Sequence, residues 1–595
     1  MYDHATVTHI SPMNIGDVEE FPMTTRMNRQ ALSICALLAA TISVHLAQAQ
    51  NAVTFTIDAS QNVHAISRYI YGINQPITPG SNLTYDRLGG NRWTAYNWTN
   101  NYSNAGSDYK YSNDTFLGGG STPGGAMIPG INNAAANGAG LLLTVPMAGY
   151  VSAAVSGYAS PTANPATSPY FVPSYANAPA SVTGMSTNPV YQSQFVNWVK
   201  TNYPQDFTAG SSTPINFDLD NEPDLWSSTH PEVHPTPVTY AELLQKTIQY
   251  STMIKSIAPT SLVYGPVSYG WEGYQTLQNA TDSTADNAAI DPYTGKPYGN
   301  FLSYYLAQMH LAGIAAKQRL LDVLDLHWYP EATGDGTRII TESSSDPAVV
   351  AARLQAPRSL WDPTYVETSW ITQSLGGKAI DLLPTLQSEI NANYSGTKLS
   401  FSEYNYGGGS DISGAIAEAD VLGIFGKYGV YSANQWALAS SEPYTQAAFA
   451  MYRNYNGKGA TFGDTSISAS TSDVADTSVY ASLDSNDPSH MVVIAINKTA
   501  NAITVTINLD HTKTFDQAQV YQLTSSAASP MFAGDVTITN PAFFTYTMPA
   551  YSVSTLNLVG APEPGNGLIL TVALLTAMLL LGPHILRRRQ SAEMQ

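Results

Sequence analysis

Two acidic motifs lie far apart in this chain, and each holds one glutamate. The first motif, Asp218–Pro223, contains Glu222, and the second, Phe401–Gly408, contains Glu403. Both motifs follow short apolar runs that are typical of β-strands. If both runs end at the mouth of one barrel, the two carboxyl groups project into the same space. Glycosidic cleavage requires such a pair, one group as acid/base and the other as nucleophile.

The residues around the two glutamates support these roles. Glu222 is the predicted acid/base, and the neighbouring Asn221 can hydrogen-bond a sugar hydroxyl. Pro223 stiffens the turn and removes one backbone donor. Glu403 is the predicted nucleophile, and Tyr404 beside it is a predicted substrate contact. A single glutamate in an exposed loop is usually only solvated, so the prediction depends on the pair.

Further polar and aromatic residues follow predicted strand ends. Arg92 is predicted to hold Glu403 ionised through a charge-assisted hydrogen bond, with an ordinary structural salt bridge as the alternative. His327 and Tyr329 are predicted to bind a sugar or the nucleophile, although His327 could also be a buried structural residue. Trp436 is expected to stack on a sugar, with core packing as the alternative. The remaining predicted substrate-binding residues are Asn91, Trp98 and Trp328, and core packing is the alternative for both tryptophans.

Eight short β-prone segments predict a barrel, because helical patterns lie between them. Val238–Ala258 and Phe301–Lys317 are the longest predicted helices. Strands that alternate with helices favour a parallel sheet, and eight units favour closure into a (β/α)₈ barrel. The predicted strands are Tyr69–Ile73, Tyr85–Leu88, Leu141–Pro146, Ile215–Leu219, Leu262–Pro266, Val323–Leu326, Leu399–Ser402 and Tyr431–Trp436.

A second domain follows the barrel. From about Ala460, Ser, Thr and Asp turns separate β-prone stretches, which predicts an antiparallel β-sandwich. The predicted boundaries are 1–49 for an extension and signal peptide, 50–66 for a strand added to the sandwich, 67–459 for the barrel, 460–559 for the sandwich and 560–595 for a sorting or transmembrane segment.

The composition favours a neutral ligand. Only 12% of the residues are charged, the formal net charge is −19, and tyrosine is abundant, with 37 residues. Nucleic acids and acidic lipids need a basic surface, so neither is expected as the main partner. No pattern indicates a nucleotide, flavin or transition-metal cofactor, and the chain is expected to be a monomer.

Both termini carry signals for export. Residues 27–49 have a basic start, an apolar run and a small-residue cleavage site, which is typical of a signal peptide. That leader holds the single cysteine, Cys35. Residues 1–26 precede the signal and are interpreted as an upstream extension. At the other end, Pro562-Glu563-Pro564, an apolar run and three arginines resemble a PEP-CTERM sorting signal, with a permanent membrane anchor as the alternative. The protein is therefore expected at the cell surface, in the matrix or secreted.

Several stretches, spread over most of the chain, resemble glycoside hydrolase family 44, which comprises endo-β-1,4-glucanases and xyloglucanases. The resemblance implies a (β/α)₈ barrel with an attached β-sandwich and a retaining mechanism. It also implies Glu222 as acid/base, Glu403 as nucleophile and, in some relatives, bound calcium. The supporting stretches are 66–74, 87–92, 96–101, 218–223, 325–330, 401–408 and 451–455.

The resemblance implies cleavage of β-1,4-glucan backbones such as xyloglucan, mixed-linkage glucan or soluble cellulose derivatives. Two alternatives remain open from the residues. The chain could be a barrel glycosidase of another specificity, such as a mannanase or xylanase, because loops shape the subsites. It could also be a non-catalytic polysaccharide-binding surface protein, although a pure binder would not need both glutamates.

Overall fold

The structure is a computed structural model that describes residues 52–340, 345–436 and 441–560. The predicted signal peptide with Cys35, and the predicted sorting segment from residue 561 onward, lie outside the described residues. Within the described ranges, no helix combines the length and the apolar character that a membrane crossing requires.

Eight parallel strands form a closed barrel, and each pairs with its neighbours in chain order. All eight predicted segments contribute a strand, so the predicted parallel barrel is confirmed. The strands are β1 (Gly72–Ile73), β2 (Tyr85–Leu88), β3 (Gly140–Val145), β4 (Ile215–Leu219), β5 (Val263–Ser268), β6 (Val323–Trp328), β7 (Lys398–Tyr404) and β8 (Ser432–Gln435).

The first strand is shorter than predicted. Arg68–Ile70 forms a 3₁₀ turn, and the Ser67 hydroxyl accepts a hydrogen bond from Tyr69 N at its start. Because this turn uses the residues that precede the barrel, β1 retains only two paired residues. Sequence propensity alone does not distinguish such a capped turn from a strand.

The long helices cover the outside of the barrel and bury their apolar faces on it. Thr239 caps the helix Tyr240–Ile257, which buries Leu243, Tyr250 and Ile254. The helices are Asn91–Thr94, Ile128–Ala136, Gln192–Asn202, Trp226–Thr229, Tyr240–Ile257, Trp271–Thr276, Ser283–Ala288, Phe301–Ala316, Pro347–Gln355, Trp370–Ser374, Leu382–Asn393, Ile412–Lys427 and Pro443–Arg453.

A second, ten-stranded sheet lies beside the barrel. Its inward-facing residues, such as Phe55, Val493 and Ile507, form a separate apolar cluster. Its strands are Val53–Asp58, His64–Ala65, Thr465–Thr471, Thr477–Leu483, Met491–Asn497, Ile503–Asp510, Phe515–Thr524, Ala527–Thr537, Phe543–Met548 and Ser552–Gly560.

This sheet is mixed, whereas a purely antiparallel one was expected. Val53–Asp58 runs antiparallel to Thr465–Thr471 and parallel to Ile503–Asp510. The parallel pair arises because the first strand of the described chain inserts between two strands from its far end.

Small strands on the connecting segments complete the structure. The long segments after β2 and β3 are insertions that hold six of these strands. Three of them pair with one another across both insertions, and the other three lie in the insertion after β3. These strands are Ser103–Asn104, Ser112–Asp114, Gly157–Tyr158, Tyr150–Ser152, Phe171–Tyr175 and Val190–Tyr191, and a further hairpin is Thr333–Gly334 with Thr337–Arg338.

Candidate active site

The backbone at Glu222 is strained and firmly held. Glu222 follows β4 with φ 44°, and Asp220 has φ 70°, both in the left-handed region that non-glycine residues rarely adopt. Asp220 accepts hydrogen bonds from Thr94 Oγ1 at 2.7 Å and Trp226 Nε1 at 3.2 Å. Glu222 N donates to Val267 O at 3.0 Å. These contacts fix the turn so that the carboxyl group of Glu222 lies over the barrel mouth.

Glu403 lies on β7 and is 5% exposed. A register shift after Leu326 brings His327 of β6 opposite Glu403. Arg87 Nη1 donates to Glu403 Oε1 at 2.7 Å, and the Tyr329 hydroxyl donates to Oε2 at 2.8 Å. Each oxygen thus accepts a hydrogen bond, which fixes the direction of the carboxyl group.

His327 lies between the two glutamates. Its Nδ1 is 2.9 Å from Glu222 Oε1 and 3.5 Å from Glu403 Oε2. One oxygen of each glutamate and a His327 ring nitrogen all lie within 4.8 Å of one another. Burial lowers the pKa of His327 to about 3, so the imidazole is neutral near pH 7. It bridges the pair without adding a positive charge.

The two glutamates have different environments. Burial raises the pKa of Glu222 to about 7, against the opposing charge of Arg87, and the carboxylate of Asp108 adds to the rise. Glu403 instead forms a direct ion pair with Arg87. Such asymmetry divides the roles, since one carboxyl group retains its proton near neutral pH while the other is paired with a cation.

Arg87 on β2 is the functional residue that the sequence interpretation missed. Its guanidinium is buried and also donates to Asp218 Oδ2 at 2.8 Å and Asn221 Oδ1 at 3.0 Å. Burial alone would lower the pKa of Arg87, but Asp218, Glu403 and Asp325 outweigh it and raise the pKa. One signal was available, because an arginine inside a buried barrel strand needs an acidic or hydrogen-bonding partner.

The predicted contact between Arg92 and Glu403 is wrong. Arg92 Nη1 instead pairs with Asp114 Oδ1 at 2.7 Å. Arg92 lies in the helix Asn91–Thr94, beyond the end of β2, whereas Arg87 lies within the strand. The Arg87 side chain therefore reaches the barrel interior and Glu403, whereas the Arg92 side chain lies beyond the strand ends and meets Asp114.

Three predicted contacts lie close to the glutamates. Tyr329 and His327 touch Glu403 as described, and Asn221 is held by Arg87.

Trp436 follows β8, is partly exposed and lies against Gly90, where a side chain would collide with its ring. Asn91 accepts a hydrogen bond from His230 Nε2 at its carbonyl oxygen and so supports the loop beyond β2.

Tyr404 is fully buried, and its hydroxyl donates to Glu418 Oε1 at 2.6 Å on the helix Ile412–Lys427. Because neighbouring strand residues point to opposite faces, Tyr404 points out of the barrel while Glu403 points in. This orientation contradicts the predicted substrate contact.

The two remaining tryptophans are buried. Trp98 packs against Phe195 and Trp198, which supports the core-packing alternative. Trp328 donates to the Tyr406 hydroxyl at 3.2 Å and borders a cavity of about 380 Å³ beside Tyr329.

The described residues include potential metal ligands. Among them, a single cluster of three or more potential ligands occurs, and it consists of Glu222, His327 and Glu403. Calcium prefers six to eight oxygen ligands, which this set with its imidazole does not supply. The cluster therefore does not fit calcium, which the family resemblance implies for some relatives.

Comparisons with known proteins agree with this geometry. A sequence model described as glycoside hydrolase family 44 matches residues 102–332. Endoglucanase A from Paenibacillus lautus is 40% identical over 564 residues, which cover 91% of this chain and 79% of the relative. A family 44 xyloglucanase from Paenibacillus polymyxa, solved with xyloglucan, superposes with a TM-score of 0.80 at 38% identity, covering 86% of this chain and all of the other.

This chain belongs to glycoside hydrolase family 44. It is therefore an enzyme that hydrolyses glycosidic bonds. A further relative of this family 44 hydrolase is the β-mannanase/endoglucanase A of Caldicellulosiruptor saccharolyticus, at 39% identity over 524 residues. That match covers 84% of this chain and 38% of the relative.

Proposed function

We propose that this hydrolase is a retaining endo-β-1,4-glucanase whose substrates are xyloglucan, mixed-linkage glucan or soluble cellulose derivatives. Retaining enzymes hold their two carboxyl groups about 5–5.5 Å apart, whereas inverting enzymes leave about 6.5–9.5 Å for a water molecule. Oxygens of Glu222 and Glu403 lie within 4.8 Å of each other. This separation is the observation that carries the proposal, because it falls below the inverting range and close to the retaining one.

The first displacement forms a glycosyl–enzyme bond. Glu403, held by Arg87 and Tyr329, attacks the anomeric carbon while Glu222 gives its proton to the departing sugar oxygen. Burial and the Glu403 charge raise the pKa of Tyr329 well above its usual value, so its hydroxyl stays protonated and can donate. As Glu403 loses its charge to the new bond, Arg87 keeps its partner Asp218.

The second displacement releases the product. Glu222, now ionised, takes a proton from water, and the hydroxide oxygen bonds to the anomeric carbon as the Glu403–sugar bond breaks. Glu222 thereby regains its proton, Glu403 regains its charge, and the anomeric configuration of the substrate is restored.

A polysaccharide panel with product analysis tests the proposal. We expect hydrolysis of β-1,4-glucans to internal fragments, with β-anomeric product in fresh proton NMR spectra. Mannan belongs in the panel because one relative is named a β-mannanase/endoglucanase, and xylan because the residues leave a xylanase specificity open. Preference for mannan or xylan would contradict the proposed β-1,4-glucan specificity. An α-anomeric product from a β-glucan would contradict retention.

The pH dependence provides a separate prediction. Because the pKa of Glu222 is raised to about 7, the acid is protonated below that pH and loses its proton above it. The kcat/KM on polysaccharide should therefore fall about tenfold per unit above pH 7. Enzyme kept at pH 8.5 and then assayed at pH 6 is the control, because full recovery excludes unfolding. A kcat/KM that stays constant from pH 6 to pH 9 would contradict the assignment of Glu222 as the acid.

We also propose that the chain is exported through its N-terminal signal and sorted to the cell surface, matrix or medium through its C-terminal segment. The ten-stranded sheet is proposed to be the β-sandwich of the family, because its inner residues form a cluster of their own. The enzyme is proposed to act as a monomer without a required cofactor.

A further inference from the structure

Phe116 is unusually exposed for an aromatic residue. It is 76% exposed, the highest value among the large hydrophobic residues that the structure describes. It follows the short strand Ser112–Asp114 in the insertion after β2. Leaving such a ring in water has a free-energy cost, which a ligand that covers it can recover.

The ring is nevertheless held in place. The guanidinium carbon of Arg92 lies 4.4 Å from its centroid. Asp114 organises both residues, since it pairs with Arg92 at 2.7 Å and accepts from Phe116 N at 3.0 Å. Ser112 Oγ donates to the same carboxylate at 2.9 Å. One face of the ring is therefore backed by a fixed cation, and a ligand that stacks on the other face pays little ordering entropy.

The same contacts link the ring to the loop that carries Glu222. Arg92 lies in the helix Asn91–Thr94, and Thr94 Oγ1 of this helix bonds to Asp220, two residues before Glu222. The Asn91 carbonyl accepts from His230, in the segment that follows Glu222. Phe116 is thus connected, through Arg92 and this helix, to the Glu222 loop.

We propose that Phe116, backed by Arg92, is a stacking platform for one β-linked pyranose of the substrate chain, at a subsite beyond the two sugars at the cleaved bond. This inference rests on the proposed glucanase function. A flat ring matches the C–H face of a pyranose. The residues that follow Phe116 are mainly glycine, serine and threonine, which fits a neutral sugar better than an apolar protein partner.

Phe116→Ala tests the platform, with KM and kcat measured on a long glucan and on a short aryl cellobioside. We expect KM for the polymer to rise about three- to tenfold, the range that one aromatic contact supplies, with kcat little changed. The aryl cellobioside is too short to reach the ring, so its kinetics should stay within about twofold of wild type. Phe116→Trp should restore the polymer KM, because it keeps a flat ring.

The matched control is Phe543→Ala, which removes an exposed phenylalanine from the ten-stranded sheet and should leave both substrates unaffected. An unchanged polymer KM in Phe116→Ala would overturn the platform. An equal loss on both substrates would also overturn it, since the effect would then come from a disturbed Glu222 loop. If wild-type enzyme cleaves the aryl cellobioside but none of the glucans, the proposed glucanase function fails, and the platform fails with it.

Discussion

Glu403→Gly should abolish polysaccharide hydrolysis, with kcat falling at least about 10⁴-fold, and azide should restore bond cleavage. The substitution removes the nucleophile and leaves a small space between Arg87 and Tyr329, which held its oxygens. Azide can enter that space and attack an activated β-glycoside from the vacated side. Since one displacement then replaces two, the adduct should be an α-glycosyl azide. Proton NMR of the product measures its configuration.

Glu403→Gln is the control for this rescue. It removes the charge as glycine does, but the amide fills the space and excludes azide, so it should remain inactive with and without the anion. A β-configured azide adduct, or equal rescue of both variants, would contradict Glu403 as the nucleophile. Substantial polysaccharide hydrolysis by Glu403→Gly without azide would contradict it too.

Glu222→Gln should retain the fold and glycan binding, and should lose about 10²- to 10⁴-fold in kcat on polysaccharide. The amide has no acidic proton for the departing sugar oxygen, and the second displacement loses its base. Dinitrophenolate departs without protonation. Dinitrophenyl glycosides should therefore still glycosylate the enzyme and release a burst of dinitrophenolate.

The pH profile separates acid catalysis from a structural effect. On polysaccharide, the residual rate of Glu222→Gln should lack the fall above pH 7 that the wild type shows on the same substrate. The substitution should not lower stability above pH 7, because a carboxyl group with a raised pKa loses its stabilising contribution as the pH rises through that pKa. Wild-type rates on polysaccharide would show that Glu222 is not the acid.

The barrel could be predicted from the sequence because the pattern that identifies each strand is local. Each apolar β-prone run is buried on both faces in a parallel barrel, so its composition identifies it without knowledge of its neighbours. The same holds for Glu222, which lies three residues after β4, and for Glu403 at the end of β7. Chain order and the rule that strand ends meet at one face were enough to expect the two carboxyl groups together.

The charge partners could not be predicted in this way. Arg87 and Arg92 are five residues apart in one motif, and either could have been assigned to Glu403. Only the closed barrel decides, because Arg87 lies on a strand that faces the interior, whereas Arg92 has already turned onto the wall towards Asp114. Side-chain direction depends on strand phase and on the register shift beside His327, which no local pattern records.

The aromatic residues show the same division. Tyr404 and Trp98 are residue types that suit a sugar-binding cleft, yet both are buried. Phe116, in the insertion after β2, is instead exposed. By itself, the sequence determined the barrel strands, the glutamate pair and the chemistry that such a pair performs, because these depend on residues adjacent in the chain. Tertiary structure decided which side chains reach the pair and which meet solvent, because those contacts join residues that are distant in sequence.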